Sequence, residues 1–284
     1  MSIAVWQHQR LVALAPLYLE ENPGGARLLP LGISLSDYLD LLLDPDASAP
    51  AAAALAERLA AERTAWRRCD LEELEPGAAA FALPCPRDCR EQRAAQAPCP
   101  VLALPEDRAL AAAVPAPKRR KLRMAARRAA RRGSVEIARI ARGGAEDALE
   151  LLFRLHGRRW SGRGEAGVLR DPRVRSFHHE AVPALFAADL IRLYALRIAG
   201  RTVGLYYGLL HRGRAFAYLG GFDPDFAFES PGTILLGHAI EAALAENARE
   251  FHFLRGGEAY KFEWGAVDRW NSRRSFLRED AADG

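Results

Sequence analysis

The chain has 284 residues, of which half are hydrophobic and 27% are charged, and its formal net charge is +4. This length fits one large or two medium domains. The composition is typical of a globular protein with a hydrophobic core. No apolar run approaches the roughly 20 residues that span a bilayer. The N-terminus lacks the basic and apolar regions of a signal peptide. We therefore expect a cytoplasmic protein without a transmembrane segment.

The four cysteines are Cys69, Cys85, Cys89 and Cys99. The spacing of the last three could suggest zinc or a disulfide. However, no histidine lies near them, and the spacing matches no standard ligand pattern. We expect reduced cysteines and no metal.

The first hundred residues predict short strands and one helix. We expect a β-hairpin over residues 3–20, a strand over 27–33, a helix over the Ala-rich residues 49–65, and a strand or turn from Asp70. Residues 75–105 are rich in proline and show no sustained period, which predicts an irregular linker.

A strongly basic helix is predicted over residues 117–133, with Gly133 as its stop. Nine of the fifteen residues between Lys118 and Arg132 are Lys or Arg, so the rest of the chain carries a net charge of −5. Three interpretations stay open. The helix is a solvated linker, a docking strip for an anionic substrate or cofactor phosphates, or a nucleic-acid surface.

From residue 134 the periodicity predicts a regular order of elements. A strand over 134–141 precedes a helix over 145–157, a loop from Arg158, and a helix that Asp171 caps and that runs to about Ala187. An antiparallel meander of three strands follows, with breaks at 199–200 and 212–213. A helix from Ser230, a strand over 250–254 and a last strand over 270–277 complete the chain.

The helix that begins at Ser230 is the first candidate for a binding site. Ser230 is placed as the N-cap and Pro231 at the first helical position. Backbone N–H groups at a helix start can hold a phosphate. The alternative is a well-capped helix of the core.

Three segments carry a resemblance to a known family. They are YLGGFDPDF from Tyr218, SPGTILLGHAIEAAL from Ser230 and FLRGGEAYKFEWG from Phe253. These segments resemble the GNAT-fold acyltransferases of the CelD-like, cellulose-biosynthesis-associated group, which are relatives of the FemAB aminoacyl transferases. The resemblance is specific over residues 145–270 and looser before that.

The resemblance implies an α+β fold with a GNAT-like mixed, mostly antiparallel sheet flanked by helices. It further implies a tandem whose first half is abbreviated. The expected domains are a GNAT-like half over 1–105, a linker with the basic helix over 106–133, and an acyltransferase domain over 134–284.

Acetyl-CoA, or another acyl-CoA, is the implied co-substrate. Its pyrophosphate is expected at Ser230, Gly232 and Thr233, and its thioester carbonyl beside the strand residues Leu219, Gly220 and Gly221. The helix start departs from the usual glycine-rich loop because it has only one glycine and Pro231 removes a donor.

The implied catalytic residues follow the last strand of this unit. Tyr260 is the candidate acid for the thiolate, Lys261 a cation against developing negative charge, and Glu258 the base with His252 second. Packing for Tyr260 and a surface position for Lys261 are the alternatives. Relatives have aspartates where this chain has His252 and Gly257.

Substrate binding is expected of Arg159, Trp160 and Arg163, in the loop that shapes the acceptor pocket of GNAT folds, and of Arg255. An Arg-Trp cluster suits a sugar or a carboxylate. Exposed loop residues without a partner are the alternative.

The sequence therefore predicts an acyl-CoA-dependent N- or O-acyltransferase. On the resemblance, its acceptor is an amino- or hydroxyl-bearing sugar or cell-envelope precursor. One alternative is an aminoacyl transferase that uses charged tRNA through residues 118–132. Another is a non-catalytic scaffold subunit of a polysaccharide system.

Overall fold

The structure is a computed structural model that describes residues 1–62, 64–161 and 168–278, without the side chains of residues 159–161 and 168. The chain divides into two compact units. Unit 1 comprises Met1–Cys99, Arg255–Gly257 and Asp268–Gly284, and unit 2 comprises Pro100–Leu254 and Glu258–Val267.

Unit 1 contains two sheets and one long helix. Its elements are β1 (Ile3–Gln7), β2 (Arg10–Ala15), β3 (Leu17–Glu20), β4 (Arg27–Pro30), β5 (Leu42–Leu43), α1 (Ser48–Ala61), β6 (Arg68–Leu74), β7 (Cys89–Pro98) and β14 (Trp270–Arg278). One sheet has the order β1-β2-β5 and the other β3-β4-β6-β14-β7. Leu55 and Leu59 of α1 pack with Trp66 and Phe276 in its core.

Three expectations for this unit differ from the structure. The predicted hairpin is limited to β1 and β2, because Pro16 interrupts the chain and β3 joins the other sheet. Residues 75–105 are not an irregular linker, since they contain β7 and a further strand, β8 (Val101–Ala103). The sequence of β7 is largely polar and exposed, so it has no hydrophobic period to find.

The final strand also lies elsewhere than expected. Residues 270–278 pair with β6 and β7 of unit 1, whereas the sequence placed them in a domain over 134–284. The basic helix, expected in a linker, belongs to unit 2. Strand partners are long-range contacts, and nothing in the local sequence of β14 specifies them.

Unit 2 is built on one six-stranded sheet. Its elements are β8 (Val101–Ala103), α2 (Leu110–Ala113), α3 (Ala116–Arg132), β9 (Val135–Arg139), α4 (Ala145–Ser161), α5 (Pro172–Ala187), β10 (Ile191–Ile198), β11 (Arg201–His211), β12 (Arg214–Phe222), α6 (Pro231–Ala245), β13 (Glu250–His252) and α7 (Ala259–Glu263). The strand order is β8-β13-β12-β11-β10-β9. Only β12 and β13 are parallel in this sheet.

Each face of this sheet carries its own hydrophobic core. Tyr194 and Tyr206 point to the face that α3 and α6 cover, whereas Leu193 and Tyr207 point to the face under α4 and α5. This alternation follows from the period of two in a β-strand. The mixed, mostly antiparallel α+β architecture that the sequence predicts is confirmed, as are the meander and the Asp171 cap of α5.

One boundary is corrected in unit 2. Helix α4 continues through Ser161, so the predicted loop at Arg158 begins later.

Among the described helices, none is long and apolar enough to cross a membrane.

Candidate active site

Strands β12 and β13 form an open fork in the sheet of unit 2. They pair only from Arg214↔Glu250 to Phe216↔His252, although β12 continues for six more residues. On its other side β12 pairs with β11 along its whole length. The edge of β12 from residue 217 onward therefore presents backbone groups that β13 does not reach.

A β-bulge lies where the fork opens. Tyr207 pairs with Leu219 and Gly208 with Ala217, so Tyr218 is the extra residue. Bulges of this kind change the direction of a strand and are frequent beside active sites. The glycine pair that follows was the sequence signal for this irregularity.

The two glycines after the bulge have different environments. A Cβ on Gly220 would meet only the Leu205 carbonyl oxygen, at 3.6 Å, so this exposed residue leaves room for a ligand. A Cβ on Gly221 would lie 3.0 Å from the Leu155 Cβ and 3.1 Å from the His156 nitrogen. Gly221 is buried under α4, and the lack of a side chain allows this close packing.

Helix α6 starts beyond the end of β12. Ser230 is left-handed (φ 56°), and its hydroxyl does not cap the helix as predicted. Its carbonyl instead accepts hydrogen bonds from the N–H groups of Thr233 and Ile234. The carboxylate cap lies earlier, where Asp223 accepts from the Asp225 N–H at the start of a 3-10 turn over Pro224–Glu229. A Cβ on Gly232 would meet only the Phe222 ring, at 3.6 Å.

Basic residues of α3 surround this helix start. An Arg128 Nη donates to the Ser230 hydroxyl over 3.1 Å, and the Arg132 Nε lies 3.6 Å from an oxygen of the buried Glu229. The close approach of α3 is possible because Gly237 of α6 has no side chain, and a Cβ there would lie 2.7 Å from Leu122. The sequence predicted this helix but not its contact with α6.

The N-terminal end of α3 is bound to α7. Lys118 and Lys121 donate to the two oxygens of Glu263 over 3.0 and 2.8 Å. Hydrogen bonds from Lys121 and Lys118 hold the pKa of Glu263 below its ordinary value. The buried Lys118 ammonium also lies 4.7 Å from the centre of the Trp264 ring.

Four arginines of α3 point away from these contacts. They are Arg120, Arg123, Arg127 and Arg131. All four are exposed, and their spacing of three and four residues places them on one side of the helix. None of them makes an ion pair within the described part of the chain. We call this set the outer arginine row.

The predicted catalytic residues after β13 lie on and beside α7. Lys261 is 1% exposed, which excludes a surface position; its ammonium donates to the Leu254 carbonyl over 2.9 Å and lies 2.9 Å from a Glu258 oxygen. Leu254 is left-handed (φ 61°), so this bond holds a strained turn. Tyr260 is 41% exposed, and its ring lies edge-on to Phe253.

His252 lies at the end of β13, the strand next to the edge strand β8. It is fully buried between β12 and β8, with its Nε2 2.9 Å from a Glu250 oxygen and its ring 4.7 Å from that of Phe216. The Arg214 Nε lies 3.3 Å from the same ring nitrogen. This environment is that of a structural histidine in the paired part of the fork.

Of the four predicted substrate residues, only the side chain of Arg255 is described. Arg255 belongs to unit 1, where it bonds to Glu73 over 3.0 Å and through its backbone N–H to Asp37. Arg159 and Trp160 lie in α4, but their side chains are outside the described residues, as is the whole of Arg163. The neighbouring Arg158 bonds to the buried Asp223 over 3.0 Å.

The fork, the bulge and the helix start together define a domain of the acyltransferase type. The family model described as Acetyltransferase (GNAT) domain matches residues 116–262, just over half of the chain. The chain belongs to this family. No curated protein matches the sequence.

Solved structures agree with this assignment at the level of the fold. FemX has a TM-score of 0.65 at 12% identity, with 96% of this chain and 87% of that chain covered. The C-terminal domain of a putative lysylphosphatidylglycerol synthetase from Agrobacterium fabrum has a TM-score of 0.59 at 12% identity, with coverages of 99% and 84%. A conserved protein of unknown function from Bacteroides thetaiotaomicron has a TM-score of 0.62 at 12% identity, with coverages of 93% and 83%.

GNAT domains generally use acyl-CoA, and the residues at the fork fit such a co-substrate in part. Gly220 and Gly232 leave space, and the helix start favours an anion. Pro231 lacks a donor and is buried, which leaves fewer amides than a glycine-rich loop provides. The described residues contain no group of three or more His, Cys, Asp or Glu side chains that could hold a metal ion.

Proposed function

We propose that this chain is an acyl-CoA-dependent N- or O-acyltransferase that transfers an acetyl group by direct attack of the acceptor on the thioester. The observation that carries the proposal is the fork between β12 and β13, which opens beside the start of α6 in a domain of the GNAT family.

In this proposal the fork binds the donor in an extended form. The N–H group of Gly232 and the helix dipole attract the pyrophosphate, whereas the Thr233 N–H already donates to the Ser230 carbonyl. The thioester lies along the free edge of β12, where the backbone at Leu219 and Gly220 donates to the carbonyl oxygen. Such fixed donors stabilise the negative charge that develops during attack.

Proton transfer falls to residues on and beside α7. The exposed Tyr260 hydroxyl protonates the leaving thiolate, and Glu258 accepts the proton of the attacking amine or hydroxyl. Lys261 is a positioning residue, because its buried ammonium fixes both Glu258 and the turn at Leu254. His252 has a structural role, because it lies on β13 between the paired strands β12 and β8.

The acceptor that we propose is an amino- or hydroxyl-bearing sugar or cell-envelope precursor in the cytoplasm. This part of the proposal rests on the resemblance of residues 145–270 to the CelD-like group. Acetyl-CoA incubated with a panel of amino sugars, with thiol release and mass spectrometry as readouts, tests it directly. Absence of acylated product from every acceptor, with no binding of acetyl-CoA, would contradict the proposed activity.

Two substitutions distinguish the catalytic role proposed for Tyr260 from the positioning role proposed for Lys261. Tyr260→Phe should lower kcat about a hundredfold, the usual size of a general-acid effect, with the melting temperature unchanged. Lys261→Met should lower the melting temperature and kcat together, because the Leu254 carbonyl and Glu258 lose their partner. Unchanged turnover in Tyr260→Phe would remove Tyr260 from the mechanism.

A second candidate is an aminoacyl transferase that uses charged tRNA. The observation that favours it is the outer arginine row, whose cations have no carboxylate partner in the described part of the chain. In thermal-shift measurements, stabilisation by tRNA and not by acetyl-CoA would favour this candidate. Stabilisation by neither would leave a non-catalytic scaffold subunit of a polysaccharide system.

A further inference from the structure

The cations of α3 fall into two groups. Those on its inner side and edges have contacts in unit 2, where Lys118 and Lys121 bind Glu263 and Arg128 contacts Ser230. The outer arginine row makes no ion pair within the described part of the chain. The two groups therefore have different roles, and packing in unit 2 accounts only for the first.

The outer arginine row lies opposite the packed side of α3. At about 100° per residue, its four members fall within about 80° around the helix axis. The buried Ala125 and Ala129 lie about 160° away from the row, on the side that packs in the core of unit 2. The row extends over about 16 Å of helix, at about 1.5 Å per residue. It therefore faces away from unit 2 along most of the length of α3.

Like charges within the row repel one another. Arg127 lies four residues from both Arg123 and Arg131, and like-charged pairs at this spacing destabilise a helix. Helix α3 contains no acidic residue that could offset this repulsion. A partner with many negative charges would offset it, so the row fits a polyanionic surface.

The residues between the arginines indicate which polyanion fits. Met124 lies on the same side of the helix as the row and is 45% exposed. Helix α3 contains no aromatic residue on which an unpaired base could stack. A helix with a basic outer side is typical of binding to a membrane surface, and an exposed apolar side chain among the cations adds contact with the lipid. Arginine suits this position, since its alkyl part contacts apolar groups while its guanidinium binds phosphate.

We propose that the outer arginine row is a docking surface for an anionic phospholipid membrane, with α3 parallel to the lipid surface. The guanidinium groups bind lipid phosphates, and Met124 enters the layer between the headgroups. Attachment is reversible, since each basic residue near such a surface strengthens binding only about fivefold. Because α3 packs on α6 at Gly237, attachment places α6 one helix layer from the lipid. This inference goes beyond the proposed function and does not depend on the acyl donor.

Sedimentation of the full chain with lipid vesicles tests this surface. We expect binding to vesicles of phosphatidylcholine and phosphatidylglycerol in equal parts, and none to vesicles of phosphatidylcholine alone. Binding should weaken as the salt concentration rises, because salt screens the attraction. The double variant Arg123→Gln/Arg127→Gln should lower the partition coefficient about 30-fold. Its melting temperature should be unchanged or higher, because repulsion within α3 is relieved.

Two further variants separate this surface from total charge and from a folding defect. Arg154 and Arg170 are exposed and belong to segments that pack on the other face of the sheet. Arg154→Gln/Arg170→Gln therefore removes the same charge, and it should change the partition coefficient less than about threefold. Arg123→Lys/Arg127→Lys keeps the charge of the row and should bind the anionic vesicles within about threefold of wild type.

Each outcome decides for or against the docking surface. If wild type does not bind the anionic vesicles, or if Arg154→Gln/Arg170→Gln loses as much binding as Arg123→Gln/Arg127→Gln, the surface is wrong. If tRNA binds through the row while vesicles do not, the row is a nucleic-acid surface and the membrane proposal is wrong.

The proposed function is tested separately. Acyl transfer to an acceptor in solution should be equal in wild type and in Arg123→Gln/Arg127→Gln, because the row lies away from the fork. Vesicle binding through the row by a chain without transfer activity would support the docking surface and contradict the proposed function. Transfer activity without vesicle binding would do the reverse.

Discussion

Buried charged groups in unit 1 and at the start of α6 in unit 2 differ in how fully their atoms are hydrogen-bonded. In unit 1 the fully buried Asp70 accepts hydrogen bonds from Arg27, Arg68 and Ser275. Burial alone would raise the pKa of Asp70, but the bonds from Ser275, Arg68 and Arg27 outweigh it and lower the pKa. At the start of α6, Glu229 and Arg128 each retain an atom without a partner.

This difference separates charges that stabilise the fold from charges that await a ligand. A buried carboxylate with all its partners is compensated within the chain, whereas one without them has a desolvation penalty that folding does not recover. We infer that the Asp70 network serves stability and that the α6 start serves binding. Substitutions in the Asp70 network should therefore change the free energy of unfolding, whereas substitutions at the start of α6 should change ligand binding.

The largest expected effect on stability is that of Asp70→Asn. It leaves Arg27 and Arg68 without their shared carboxylate, and we expect a loss of about 3 kcal/mol in the free energy of unfolding, measured in urea. CoA binding by the remaining folded protein should not change. Glu72→Gln is the control, since it removes the charge of the second partner of Arg27, which also accepts a hydrogen bond from Gln96, and it should cost less than about 1 kcal/mol. Equal losses in the two variants would contradict a special role for Asp70.

Gly220 and Gly221 of β12 allow the contrast between stability and binding to be tested within a single strand. Gly221→Ala should destabilise the protein by about 1–3 kcal/mol, because its Cβ would meet α4 at 3.0 Å. Gly220→Ala should leave the free energy of unfolding nearly unchanged and weaken acetyl-CoA binding, since its space is open to a ligand. Urea unfolding and calorimetric titration of both variants measure these effects. A stable Gly221→Ala, or a Gly220→Ala that binds acetyl-CoA as well as wild type, would show that we have assigned the two environments wrongly.

Local patterns predicted unit 2 far better than unit 1. Helices α3, α5 and α6 and the meander β10–β12 have clear periodicity, and Gly133 and Asp171 mark boundaries that the structure confirms. Strand β7 has a polar, mostly exposed sequence, so its place in a sheet depends on β14, more than 170 residues later. Pairing over such a distance leaves no local signal.

The candidate site was predictable as a region but not as a set of contacts. The glycine pair after Tyr218 and the start at Pro231 were visible in the sequence. The burial of Lys261 was not, because a lysine before an aromatic residue in a short helix gives no sign of its depth. Arg128 was one of nine similar cations, and only its contact with Ser230 in the folded chain distinguishes it from Arg127.

The smallest expected effect belongs to Glu91, whose charge is compensated nearer the surface of unit 1. A bidentate hydrogen bond from Arg274 lowers the pKa of Glu91 to about 2. Because this folded-state pKa lies below the unfolded value of about 4.5, the stabilisation is fully present above about pH 4.5 and is lost as the pH falls towards 2. Since Glu91 is partly exposed and screened by solvent, we expect its charge to add about 1 kcal/mol to the free energy of unfolding. Urea midpoints measured between pH 6 and pH 3 should fall less steeply for Glu91→Gln than for wild type. Parallel curves would mean that the charge of Glu91 adds no stability. In unit 1, the stabilising carboxylate would then be the buried Asp70 and not Glu91.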